Sequence, residues 1–82
     1  MTVVRKFRSA EELRCLRRMA CSVPEEVLLR EVEGDVLADA KSLIGLFALD
    51  YSRPVCIVTD SQDLLSQLEY LDEETKYMSP QS

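Results

Sequence analysis

The chain has 82 residues, 46% of them hydrophobic and 30% charged, a balance that fits one small globular domain and excludes a disordered segment. No apolar run reaches the roughly 18 residues of a membrane span, and Arg5, Lys6 and Arg8 put charges where a signal peptide needs its apolar stretch, so a cytoplasmic protein is expected. Net charge is −5, which speaks against a dedicated nucleic-acid binder.

Three cysteines without a C-x-x-C pair, and no histidine, offer neither a disulfide framework nor a zinc site of ordinary spacing. Cys15, Cys21 and Cys56 read as free thiols, and no metal or cofactor is expected. Lacking histidine, the chain also lacks the commonest general base. The charge is uneven. Residues 1–18 hold six cations against Glu11 and Glu12, a balance of +4, which leaves −9 for the remainder. One end can meet an acidic protein surface, or can simply be a solvated helix face.

Residues 2–7, with Val3, Val4 and Phe7 between charges, predict a strand. Ser9 with Glu12 three positions on is a capping box, and it opens a helix expected over 10–22 and stopped by Pro24. Leu13, Leu16, Met19, Ala20 and Val23 share one side of that helix, Glu11, Arg14 and Arg18 lie opposite, and Arg17 flanks. Residues 26–33 and 36–40 predict a hairpin closed at Glu33-Gly34-Asp35, with the alternation broken at Arg30 and Glu31.

Residues 40–49 predict a second helix of about three turns, opened by Ser42, with Leu43, Leu46 and Phe47 on one face. So short a helix has to be held by packing. Val55-Cys56-Ile57-Val58-Thr59 reads as a buried strand. A last helix starts at Thr59, Asp60 or Ser61, where Thr59 with Gln62 makes a further capping box. Leu64, Leu65, Leu68 and Leu71 are its buried stripe, and Tyr70 lies on the far side. One domain is expected over 1–74 and a frayed tail, containing Ser79-Pro80, over 75–82.

The order βαββαβα fits an α+β fold, an open-faced two-layer sandwich with three helices on one face of a four-stranded sheet. The apolar stripes are all accounted for by one core, so nothing in the sequence diagnoses an oligomer, and a monomer is expected.

In this context Lys41-Ser42-Leu43-Ile44-Gly45-Leu46 with Leu49, opening the second helix after a glycine-turn hairpin, resembles the serine-site motif of HPr, the histidine-containing phosphocarrier family of the bacterial sugar phosphotransferase system. In element order the resemblance covers nearly the whole chain. It implies an open-faced sandwich, a cytosolic bacterial protein, and a regulatory phosphorylation site at Ser42. It also implies a phosphate-relaying histidine after the first strand, and here the chain departs from the family: Arg8-Ser9-Ala10-Glu11-Glu12-Leu13-Arg14 stands where the histidine and its neighbours belong. A histidyl phosphocarrier is excluded.

Glu11, Glu12 or Cys15 as a substitute phosphate acceptor competes with the plainer reading of first-turn dipole partners and an ordinary helix residue. Ser42 is either a regulatory phosphorylation site or only a helix cap. The expectation is therefore a non-catalytic HPr-like binding or regulatory protein. It would touch phosphotransferase-system enzymes or carbon-regulation proteins through Arg14, Arg17, Arg18, Lys41, Leu43, Leu46 and Phe47. The alternative is an unrelated small α+β regulatory or ligand-binding module, ferredoxin-like or similar, acting as a dimer.

Overall fold

A computed structural model describes the backbone of residues 2–77 and the side chains of residues 2–69. The elements run β1 (Thr2–Arg5), α1 (Ala10–Cys21), β2 (Val27–Glu31), β3 (Ala38–Asp39), α2 (Leu43–Leu46), β4 (Val55–Thr59) and α3 (Gln62–Tyr77). The four strands form one open antiparallel sheet in the order β1-β4-β2-β3, giving an α+β fold with three helices. The most apolar strand, β4, lies inside the sheet, paired with β1 from Thr2↔Val58 to Arg5↔Val55 and with β2 from Val27↔Thr59 to Glu31↔Val55.

Strand periodicity puts Val27 and Leu29 on the same face as Val55 and Ile57, and all four are fully buried. They join Leu13, Leu16 and Ala20 of α1, Leu46 of α2, and Leu64 and Leu68 of α3 in one core cluster. Burial of this continuous apolar surface is what holds so short a chain together.

The first helix follows the sequence closely. Ser9 Oγ accepts from Glu12 N at 3.2 Å, and Glu12 Oε1 accepts from Arg8 N at 2.8 Å. The return bond of the capping box therefore lands one residue before the cap. The helix ends at Cys21, with Ser22 as its C-cap.

Strand β1 stops at Arg5 instead of reaching Phe7. Its ladder ends opposite Val55, and the next residue on β4 would be Pro54, which has no N–H to donate. Phe7 turns into the core instead and meets Tyr51 edge-on, ring centroids 5.9 Å apart.

The hairpin is shorter than expected, pairing Leu28↔Asp39 and Leu29↔Ala38 with residues 32–37 as its connection. Side chains take over from the ladder there. Arg30 Nη1 donates to the carbonyl oxygens of Glu31 and Val32, Glu31 Oε2 accepts from Asp50 N, and the turn closes from Gly34 N to Glu31 O.

The largest departure is α2. A ten-residue helix over 40–49 becomes a single turn: Ala40, buried, still follows the sheet with its N–H on Val27 O at 2.9 Å, Ser42 N turns back to Asp39 O, and the helix starts only after the Ser42 cap. At the other end Phe47 N and Ala48 N bond to Ile44 O and Gly45 O, the tight i→i+3 pattern of a helix running out.

In α3 the cap is Ser61, whose Oγ accepts from Leu64 N at 3.1 Å. Thr59 is still in β4, its hydroxyl donating to Glu26 O and accepting from Ser61 N, so the Thr59–Gln62 box does not form. Leu64 and Leu68 are buried and Leu65 packs against the core. Leu71 and Tyr70 lie outside the described side chains. The helix runs on to Tyr77, past the expected boundary at residue 74, and residues 78–82 lie outside the described residues.

Candidate docking face

The residues singled out in the sequence gather where α1 meets α2. On α1, Arg14, Arg17, Arg18 and Cys21 stand three, four and seven positions apart, which aligns them as one ridge along the helix. The ridge ends against the start of α2, where Cys21 Sγ lies 3.9 Å from Lys41 O and Lys41 Nζ donates to Val23 O at 2.9 Å.

Glu11 tempers the charge of the ridge, with Arg14 Nη1 at 3.2 Å and Arg18 Nη2 at 3.9 Å from its carboxylate. All three side chains are largely solvated, so these pairs shape the potential more than they add stability. Arg18 Nη2 also lies 3.3 Å from Cys15 Sγ. Arg17 is half-buried, with its Nε out of solvent and without a hydrogen bond.

The turn of α2, which starts next to Lys41, carries an apolar tip. Ile44 is 87% exposed, Phe47 52% and Leu43 40%, whereas Leu46, nearly opposite Ile44 around the turn, is fully buried. Two expectations change. Leu46 is a core residue with no surface to offer a partner, and Leu43 and Phe47 do not share its burial. Nor does one core absorb every apolar residue, since a one-turn helix can bury only one side and the surplus of the 43–47 run stands in solvent. Val32, Val36 and Leu37 in the β2–β3 connection are exposed as well.

Sequence reasoning set Ile44 beside the apolar face of the helix and did not count it among the partner-binding residues, yet it is the most exposed of these side chains. The signal was available. Ile44 and Leu46 stand two positions apart, about 160° around a helix, so a core that receives one leaves the other toward solvent.

Ser42 is exposed at the junction of ridge and tip. Its Oγ accepts from Gly45 N at 3.2 Å, and Asp39 supports the approach, its carboxylate accepting from Lys41 N and its carbonyl from Ser42 N. Ser42 is thus the N-cap of α2. Near the start of α1, Glu12 and Glu11 are occupied as cap and ion-pair partners, in keeping with their plainer reading.

Away from this face, a cleft of about 320 Å³ lies between β1 and α3, lined by Val3, Leu65, Leu68 and Glu69 among others. A wider groove of about 560 Å³ carries Glu31, Glu33, Asp50 and Arg53. Two of its carboxylates already serve the loop: Glu31 accepts from Asp50 N, and Asp50 accepts from Ser52 N at 2.9 Å. That bond to Ser52 is the main reason the Asp50 carboxyl is held below its usual range, with Arg53 and Lys6 adding to it.

Among the described residues no group of three or more histidine, cysteine or acidic side chains could hold a metal ion, and no helix is long and apolar enough to cross a membrane. No protein-family model matches the chain, and neither a curated protein nor a solved structure matches it.

Proposed function

We propose that this chain is a non-catalytic, HPr-like binding or regulatory protein of the bacterial sugar phosphotransferase system, an open-faced sandwich that docks on its partners through the α1 ridge and the α2 tip. The observation that carries the reading is the exposed apolar tip, Leu43, Ile44 and Phe47, set beside the basic ridge of α1. Burying three large apolar side chains offers a partner several kcal/mol before the costs of association, by roughly 25 cal/mol per Å². The cations Arg14, Arg18 and Lys41 favour a partner with an acidic rim. The element order and the Lys41-Ser42 start of α2 support the HPr-like assignment. With no histidine in the chain, docking takes place without phosphate relay.

In this reading Ser42 is the switch. A phosphate on Ser42 brings about two negative charges to the edge of the apolar tip, which weakens docking on an acidic rim. The protein acts as a cytoplasmic monomer and binds no nucleic acid.

The test has two parts. In competition against an authentic HPr for the phosphotransferase enzymes, the native chain displaces HPr and Ile44→Asp does not. Absence of displacement at about a hundredfold excess overturns the reading. A concentration-dependent dimer that loses its stability with Ile44→Asp would instead assign the same tip to self-association. For the switch, the native chain and Ser42→Ala are incubated with ATP and an HPr serine kinase and weighed intact. One phosphate on the native chain alone supports it; none on either leaves Ser42 a helix cap.

A further inference from the structure

We infer that Tyr51 is a positioning residue for the docking face: its hydroxyl, donated to Leu46 O, holds the closing turn of α2 and so fixes where Ile44 and Phe47 stand. The inference rests on the docking role proposed for that face.

A helix of one turn has almost no stability of its own, since nucleation costs more than a single hydrogen bond returns. Both of its ends therefore depend on outside groups. At the start, Ser42 and Asp39 supply them. At the finish, the carbonyls of Ile44 and Gly45 are met by the amides of Phe47 and Ala48, and the carbonyl of Leu46 by the Tyr51 hydroxyl.

Tyr51 can act as an anchor because it is itself anchored. Its ring meets Phe7 edge-on at an interplanar angle of 83°, and Phe7 belongs to the core. Its backbone carbonyl accepts from Lys6 Nζ at 3.0 Å, and the same ammonium reaches Phe7 O at 3.2 Å. The end of α2 is thus tied, through one side chain, to the β1–α1 connection, where Lys6 and Tyr51 stand 45 positions apart in sequence. Burial raises the phenol from its ordinary value to about 12, so it remains a neutral donor at any physiological pH.

Tyr51→Phe keeps the ring and its contact with Phe7 and removes only the donor. Amide hydrogen exchange on the full chain then reads the outcome, with the amides of Phe47 and Ala48, which close α2, compared against those of β2 and β4. The variant exchanges about tenfold faster at Phe47 and Ala48, while the sheet amides change by less than twofold, the size expected for losing one hydrogen bond locally. Unchanged exchange at Phe47 and Ala48, or the same acceleration in the sheet, overturns the assignment.

A second arm measures displacement of HPr by Tyr51→Phe beside Ser61→Ala, a cap variant that loosens α3 and lies outside the docking face. Weaker displacement by Tyr51→Phe alone supports positioning; equal displacement by the two overturns it. The exchange arm needs no partner, so failure of the native chain to displace HPr removes the docking role and leaves the positioning of α2 decided by exchange.

Discussion

Lys41 Nζ lies 2.9 Å from Val23 O, so the residue just before the cap of α2 is bolted to the chain leaving α1. The bond is charge-assisted and partly shielded from water, which places it among the stronger single hydrogen bonds. Lys41→Met keeps most of the aliphatic stem and removes the donor. A loss of about 1–2 kcal/mol is expected in urea unfolding, with the m-value unchanged.

Neighbouring apolar residues in α2 should respond in opposite ways. Leu46→Ala empties a fully buried site and costs about 2–5 kcal/mol, enough to threaten the fold of so small a domain. Ile44→Ala removes an exposed side chain and should stay within about 0.5 kcal/mol of the parent. Thermal melts of the two variants distinguish core from surface directly. Similar losses in both would contradict the packing described for α2.

Two serine caps of unlike surroundings provide a third comparison. Ser61 is 1% exposed and caps α3 from within the structure, whereas Ser9 caps α1 in solvent. Water can replace the hydroxyl at Ser9 but not at Ser61, where alanine strands the Leu64 N–H. Ser61→Ala is expected to cost about 2 kcal/mol and Ser9→Ala about 1 kcal/mol or less, measured by chemical denaturation.

Tyr51 gives the chain a pH signature. Its phenol is raised to about 12 in the fold against an ordinary value near 10. Because the folded state holds this proton more tightly, the contribution is fully present below pH 10. It is lost as pH rises from about 10 through about 12, where the unfolded chain has already released its proton. Stability of the native chain should therefore fall more steeply over that window than stability of Tyr51→Phe. Parallel slopes would show that the phenol is not shifted.

The relation between sequence and structure is clearest where α1 and α2 are compared. Leu13, Leu16 and Ala20 recur at helical spacing over twelve residues, Ser9 and Glu12 mark the start, and Pro24 marks the limit; the helix lies where those signals put it. Strand β4 was equally legible, because a run of β-branched residues suits a strand buried within the sheet. Residues 40–49 carry similar local signals, yet one turn survives. Ala40 is claimed by Val27 across the sheet, and no local pattern announces a hydrogen bond between positions thirteen apart.

Periodicity was sufficient to set the order and kind of the elements, because it depends on residues near one another in the chain. The surface those elements present was decided by tertiary structure alone. Whether Leu43, Leu46 and Phe47 face inward together depends on how long α2 is. That length depends on Val27, Tyr51 and Asp39, groups the chain brings to α2 only once the sheet has formed.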